Sequence, residues 1–323
     1  MFSLNDIITY IVYIYMIVYA KRILFWLYNI LFRVRKDFIT LYGTDSWVLV
    51  TGASDGIGKA FCEELAKTGF NIILVARNLE KLNRVAGELQ LLNPKIKTKV
   101  LVFDFSKKTE ISDYIVSFID GLYDFDISII INNVGTGYPN KFNDISLTET
   151  EDTINLNIIP QSYLMKLFLP ILKERKNKRS AIINVSSYGG QFPLPYYSLY
   201  SASKVYADFL SRGVGEEEKY SGIDMLSVKP FEVASILSGH ETYDGFFVIS
   251  PTACAKGSLD ALGYETWTAG GWAHQIQVGI CDWAFSVAPE CLAFWIQSMI
   301  NQGLIDMHRN NKDKYVSKGL KQN

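Results

Sequence analysis

Two different rhythms of apolar and polar residues divide the chain. From Ile7 to Ala20 it reads IITYIVYIYMIVYA without a charge; Lys21 and Arg22 follow, then a second apolar run, ILFWLYNILF, to Phe32. From Trp47 onward, short apolar runs alternate with longer amphipathic ones. WVLVTG (47–52), NIILVA (71–76), TKVLVF (98–103), ISIIIN (127–132), AIINVS (181–186) and DMLSVKP (224–230) read as six strands. Such short runs bounded by turn residues fit strands buried on both faces. Segments of helical period separate them, the first from Ile57 to Lys67. Strands alternating with helices predict an α/β fold with a doubly wound parallel sheet.

The first segment predicts an N-terminal membrane helix. Fourteen helical residues rise only about 21 Å, short of a hydrocarbon core of ~30 Å. Extension back to Phe2 passes Asn5 and Asp6, which lie near enough to the end to reach headgroups. The charges follow the run, and no small-residue cleavage site comes after it, which argues against a signal peptide. A buried amphipathic helix is the alternative. Lys21, Arg22, Arg33, Arg35 and Lys36 lie on the C-terminal side, so the positive-inside rule puts the large domain in the cytosol, or in the matrix for a mitochondrial membrane. The divisions expected are 1–36 for the anchor and its basic flank, 44–275 for the α/β domain, 276–305 for an apolar C-terminal helix region and 306–323 for a polar, basic tail. Within the third, VGICDWAFSVAPECLAFWIQSMI (278–300) carries Asp282, Pro289 and Glu290; it either dips into the membrane or completes the core.

Composition narrows the classes of function. The chain has 323 residues, 49% of them hydrophobic, and a net charge of −1, so nothing in its charge favours nucleic acid. Cys62, Cys254, Cys281 and Cys291 show no paired spacing, and His240, His274 and His308 lie far apart. No metal motif results, and the cysteines read as small apolar residues of a reducing compartment.

Candidate chemistry begins in the turn after the first strand, Thr51-Gly52-Ala53-Ser54-Asp55-Gly56-Ile57-Gly58. Its glycines are a spacing variant of the dinucleotide fingerprint. Gly52 allows a tight exit from the strand, Gly56 lets backbone approach a pyrophosphate, and Gly58 lets the helix pack close. The helix N-terminus then presents N–H groups and a positive dipole end to phosphate. Ser54, Asp55 and Ile57 belong to the same cradle. An acidic residue at the end of the second strand would select NAD; here Ala76 and Arg77 stand there, and a cation suits the 2′-phosphate of NADP(H). Tyr200 and Lys204, four apart at the start of a helical pattern, share one face. Carbonyl reduction needs a proton donor beside the hydride donor, and Tyr200 is the expected general acid. Lys204 and an oxidised nicotinamide are expected to lower its pKa from about 10. Pro160 leaves the Leu156 carbonyl without its usual donor, which predicts a kink and offers a place for a relay water.

TGASDGIG resembles the TGxxxGxG signature of the short-chain dehydrogenases/reductases, and the likeness runs from about residue 47 to 236. It implies a Rossmann-like fold and further roles. Asp104 resembles the family's aspartate near the adenine. Asn132-Asn133-Val134-Gly135 resembles its NNAG, with Asn133 and Gly135 beside the cofactor and Asn132 stabilising the sheet. Ser187 matches the serine that holds the substrate carbonyl, with Ser186 as the competitor; Asn157 matches the catalytic asparagine, with Asn155 as the alternative. Tyr200 and Lys204 complete the tetrad and touch the cofactor. Pro230, Val233 and Ser235 match the segment beside the nicotinamide, whereas Phe231 and Glu232 depart from the family's pattern.

A subgroup resemblance rests on the anchor, SDGIGKAFCEELAKTGF, NNVG, QFPLPYYSLYSASK and WAHQI. These are similar to the 3-oxoacyl-CoA reductases of very-long-chain fatty-acid elongation, relatives of the membrane 17β-hydroxysteroid dehydrogenases. The resemblance implies NADPH-dependent reduction of a lipid-like acyl-CoA at the endoplasmic reticulum membrane. A steroid substrate is one alternative, and a non-catalytic subunit of a membrane complex, with the mitochondrial inner membrane as the alternative location, is another. A homodimer is implied by likeness alone.

Overall fold

A computed structural model describes residues 3–32, 36–175, 177–235, 238 and 243–287. The predicted basic tail and most of the 276–305 region lie outside them. The chain forms two compact units, Met1–Asp37 and Phe38–Asn323.

The first unit is a single helix, α1 (Leu4–Phe32), of 29 residues. Ser3 and Asp6 cap it reciprocally, the Ser3 hydroxyl and N–H donating to Asp6 and the Asp6 N–H to Ser3 Oγ. Tyr10, Ile11, Tyr13, Ile14, Tyr15, Met16 and Ile17 are all exposed. Consecutive helical residues point in different directions, so the exposed apolar surface encircles the helix. Among the described residues no helix is long and apolar enough to cross a membrane.

The second unit opens with a short helix, α2 (Phe38–Tyr42), and alternates thereafter: β1 (Trp47–Thr51), α3 (Gly56–Thr68), β2 (Asn71–Ala76), α4 (Leu79–Leu92), β3 (Thr98–Val102), α5 (Ile111–Tyr114), β4 (Ile127–Asn132), α6 (Leu147–Asn157), α7 (Ile159–Lys173), β5 (Ser180–Val185), α8 (Ser198–Glu217), β6 (Ile223–Val228), β7 (Glu232–Val233), β8 (Val248–Ile249), α9 (Pro251–Ala261), β9 (Trp267–Thr268) and α10 (Trp272–Val287). The six expected strands are present within a residue or two of their sequence bounds. They form an all-parallel sheet in the order β3-β2-β1-β4-β5-β6, which β9 extends. Two-residue strands are too short to show a period, so β7, β8 and β9 left no mark in the pattern.

Alternation fixes which side chains meet which layer. Val48, Val50, Ile72, Leu74, Ile129 and Ile131 face one core together with Phe61, Leu65 and Leu82. Leu49, Ile73, Ile130 and Ile182 face the other with Leu164, Phe168 and Phe103. Each fully buried aliphatic side chain contributes about 1.5–3 kcal/mol of hydrophobic stabilisation. Strand order reverses between β1 and β4, and open α/β sheets bind ligands at the carboxyl ends of the strands beside such a reversal. The glycine turn follows β1 and Asn133 follows β4, so both reach that crevice.

The expected kink at Pro160 is a full break. α6 ends at Asn157 and α7 starts at Ile159, with Ile158 between them at φ −112°. Proline has no N–H to give the Leu156 carbonyl, and the Asn157 carbonyl accepts instead from the Gln161 side chain.

Candidate active site

The turn after β1 is held from two sides. Gly52 and Gly56 have φ of 65° and 55°, conformations that favour glycine. A Cβ on Gly58 would strike the Gly52 carbonyl oxygen, and one on Gly52 would lie 2.8 Å from Asn133 Nδ2. Asn133 Nδ2 donates to the carbonyls of Thr51 (3.0 Å) and Gly52 (3.3 Å). Thr51 Oγ1 accepts from the N–H groups of Asn133 and Val134. Asn133 therefore shapes the cradle, and Thr51, which the sequence reading passed over, is its counterpart across the switch point. Asn132 turns into the sheet and donates to Asn184 at 2.7 Å.

Asp55 caps α3, its carboxylate accepting from the Gly56 N–H at 2.7 Å. Its side chain serves the helix, leaving a phosphate to the other first-turn N–H groups, which lack intrahelical acceptors. Ser54 and Ile57 are half-buried on the same turn. Ser235 closes the cradle from above: a Cβ on Gly56 would lie 3.4 Å from Ser235 Cβ. Arg77 is exposed just past β2. Asp104 accepts from the Ser106 N–H and hydroxyl and so organises its own turn after β3. A glycine cradle at a helix N-terminus, at the carboxyl end of β1, fits the pyrophosphate of a nicotinamide dinucleotide.

The second cluster lies at the ends of β4 and β5. Asn157 Oδ1 accepts from the Thr136 N–H (2.8 Å), while Nδ2 donates to the Thr136 carbonyl (2.8 Å) and to Ser203 Oγ (2.9 Å). Ser203 Oγ donates in turn to the Tyr200 carbonyl. Asn155 points elsewhere, to the Ser106 carbonyl. The two candidate serines are likewise separated. Ser186 is buried and donates to the Lys204 carbonyl at 2.6 Å, pinning α8 to the sheet. Ser187 accepts from the Gly189 N–H and its side chain reaches the Tyr200 phenol.

Tyr200 and Lys204 project from the first turns of α8. Lys204 Nζ donates to the Val185 carbonyl at 3.0 Å and lies 5.6 Å from the Tyr200 ring centre. A Cβ on Gly135 would come within 3.0 Å of Asn157 Oδ1 and 3.3 Å of Lys204 Nζ, and one on Gly137 within 2.9 Å of the Tyr200 ring. The NNVG loop thus packs directly on the cluster. Pro230 and Val233 are buried beyond it.

The electrostatics correct the sequence reading. Enclosure of the Tyr200 phenol pushes its pKa up to about 12; the Ser187 hydrogen bond lowers it, and the Glu232 carboxylate raises it further. Burial pulls the Lys204 ammonium down to about 8. Lys204 Nζ is engaged by the Val185 carbonyl. Desolvation disfavours the charged forms of both groups, which keeps the phenol protonated and makes the ammonium less basic than an exposed lysine.

A family model described as short chain dehydrogenase matches residues 46–242. The chain belongs to that family. This short-chain dehydrogenase is 35% identical over 284 residues to the very-long-chain 3-oxoacyl-CoA reductase of Anas platyrhynchos, covering 87% of this chain and 85% of that protein. It is 37% identical over 275 residues to the inactive hydroxysteroid dehydrogenase-like protein 1 of Homo sapiens, covering 84% and 80%. Among solved structures, one of a 7beta-hydroxysteroid dehydrogenase matches with a TM-score of 0.66 and 26% identity, over 77% of this chain and 94% of that one. A short-chain dehydrogenase from Sphingobium yanoikuyae in complex with NADPH matches with a TM-score of 0.63 and 25% identity, over 76% and 97%.

Proposed function

We propose that this short-chain dehydrogenase reduces a long or very long chain 3-oxoacyl-CoA to the 3-hydroxyacyl-CoA with NADPH. The observation that carries this is the convergence of Asn157, Ser187, Tyr200 and Lys204 at the carboxyl edge of the sheet, next to a glycine cradle flanked by Arg77. The likeness to a 3-oxoacyl-CoA reductase over most of both chains supports the substrate class. NADPH, when bound, supplies the hydride that reaches the carbonyl carbon. Ser187 donates a hydrogen bond to the carbonyl oxygen, and Tyr200 delivers the proton to it as charge develops there. Lys204 would hold the nicotinamide ribose, and Asn157 fixes the loop that packs on Tyr200. Arg77 would pair with the 2′-phosphate.

Helix α1, with apolar side chains exposed around its circumference, supports attachment to a membrane, where so apolar a substrate partitions. We place the enzyme at the endoplasmic reticulum with its domain in the cytosol; the inner mitochondrial membrane with the domain in the matrix is the alternative. The likeness to an inactive hydroxysteroid dehydrogenase-like protein favours a second reading, in which the chain keeps the nucleotide site for an accessory role.

The test is NADPH oxidation by the detergent-purified full chain with a long-chain 3-oxoacyl-CoA, beside Tyr200→Phe. Loss of the general acid is expected to cost about 10²–10⁴ in kcat with NADPH still bound. No turnover by the wild-type protein, with NADPH bound, would shift the assignment to the accessory reading or to a steroid-like substrate.

A further inference from the structure

A buried lysine stands where β5 and β6 run out, and the mechanism above leaves it without a task. Lys229 follows β6 directly. Its backbone is fixed on both sides. The Lys229 N–H donates to the Thr268 carbonyl at 2.7 Å, and the carbonyls of its neighbours Val228 and Pro230 accept from the N–H groups of Ser186 (2.7 Å) and Tyr188 (2.9 Å). Lys229 and Ser187 therefore lie side by side across the two strand ends.

The side chain bridges the elements that carry the two hydroxyls of the site. Lys229 Nζ donates to Gln191 Oε1 at 3.0 Å and pairs with Asp208 Oδ2 at 3.4 Å, 4.5 Å from the centre of the Trp267 ring. Gln191 closes the turn that Ser187 opens: its N–H donates to the Tyr188 carbonyl, the Gly190 N–H to the Ser187 carbonyl and the Gly189 N–H to Ser187 Oγ. Asp208 stands one helical turn beyond Lys204 on α8 and also accepts from Arg212. The turn rests on α8 itself, where a Cβ on Gly190 would come 2.8 Å from Val205 N and 2.9 Å from the Lys204 carbonyl carbon. Neutral bonds flank the ion pair, from Ser186 to the Lys204 carbonyl and from Ser201 to the Phe192 carbonyl. Burial pulls the Lys229 ammonium below the ordinary lysine value and Asp208 opposes that pull, while Asp208 Oδ1 is buried with no hydrogen-bond partner among the described residues. A buried ion pair adds little net stability, because desolvation offsets the attraction, and its best-attested use is to fix register.

We propose that Lys229 is a positioning residue of this site, a buried clamp that holds the Ser187 turn against α8 and so sets the distance between Ser187 and Tyr200. The inference rests on the reading of those two residues as the groups that meet the substrate carbonyl. Reduction needs both hydroxyls at a single oxygen, one as hydrogen-bond donor and the other as acid. They come from different elements, so no local preference fixes their separation. Lys229 is bonded to both elements at once, through Gln191 and Asp208. A turn displaced by about 1 Å would take Ser187 off that oxygen and leave the glycine cradle after β1 as it is.

The experiment compares the wild-type full chain with Lys229→Met, which keeps the length and loses the charge, and with Gln191→Leu, which cuts only the link to the turn. One readout is kcat for NADPH-dependent reduction, in the wild-type and Ser187→Ala backgrounds. The other is amide hydrogen exchange at Gly189 and Gly190, which needs no turnover. Each variant is expected to lower kcat about 10- to 100-fold with the Kd for NADPH unchanged. In the Ser187→Ala background the further loss should be no more than about twofold, since a hydroxyl already removed cannot be misplaced. The two glycine amides should exchange about tenfold faster, the worth of one hydrogen bond to a charged group, while amides of β1 and α3 keep their wild-type rates. An equal loss of kcat in both backgrounds, unchanged exchange at the two glycines, or exchange raised alike in β1 and α3 would overturn the proposal. If the wild type turns over no 3-oxoacyl-CoA but the two amides still exchange faster in both variants, the clamp stands and the substrate reading fails.

Discussion

The glycine cradle and the Tyr200 cluster share the carboxyl edge of one sheet, yet they are held together by different means. The cradle is written in eight consecutive residues and is shaped by backbone: two positive φ angles, a helix cap and a close approach between Gly58 and Gly52. Thr51 and Asn133 fasten it to the loop after β4, and the Ala53 N–H donates to the Val75 carbonyl of β2. The cluster draws on α6, the loop after β5, α8 and β7. Buried hydrogen bonds hold it, from Asn157 to Ser203 and Thr136, from Ser186 to Lys204, and from Lys204 to Val185. A site made of backbone tolerates side-chain change but no added Cβ. A site made of side chains tolerates neither a lost partner nor a shifted helix.

Adjacent serines give the sharpest test of that contrast. Ser187→Ala is expected to lower kcat by about 10²–10³, as loss of one donor to a developing oxyanion does. Ser186→Ala should leave kcat within a few-fold and cost about 0.5–1.5 kcal/mol of stability in urea unfolding. Equal kinetic effects at the two positions would mean that both serines face substrate and that the division of labour seen here is wrong.

Gly58→Ala probes the backbone-made half. Its Cβ meets a carbonyl oxygen that cannot swing aside, so a loss of about 1–3 kcal/mol is expected, together with NADPH affinity, measured by nucleotide fluorescence. Arg77→Ala should raise the Kd for NADPH about ten- to a hundredfold, the worth of a charge-assisted hydrogen bond, while leaving NADH binding unchanged. Loss of both affinities alike would remove Arg77 from the 2′-phosphate.

The smallest effect concerns Lys204 and pH. Its folded pKa of about 8 lies below the ordinary lysine value of 10.5, so between those two pH values the unfolded chain binds more protons than the folded one. Stability from this group therefore rises with pH across that window. Tyr200, raised to about 12, acts with the opposite sign only above about pH 10. Lys204→Met should flatten the rise in Tm between pH 8 and 10; an unaltered rise would mean that the ammonium is not desolvated.

Much of this was legible in the chain. A run such as NIILVA is short, apolar and rich in β-branched residues, which favours a strand covered on both faces, and WVLVTG followed by glycines and an amphipathic run reads as a strand, a turn and a helix in that order. Those are local facts, because period and φ preference act over a few residues. TINLNIIP showed that a helix would suffer at Pro160, but not that it would divide at Ile158, since that depends on what Gln161 finds to bond. YSASK placed Tyr200 and Lys204 on one face, and the sign of the Tyr200 shift still escaped it: desolvation is set by the whole enclosure of the phenol. Spacing and likeness favoured Ser187 over Ser186 and Asn157 over Asn155, but which way each side chain turns is fixed by packing between α6, α8 and β5. Sequence by itself determined the elements, their order and the residue types available for hydride chemistry, because those follow from short-range sterics and hydrophobic period. Tertiary structure alone decided which of those residues face one another and in which protonation state they rest, because distance and dielectric are properties of the assembled fold.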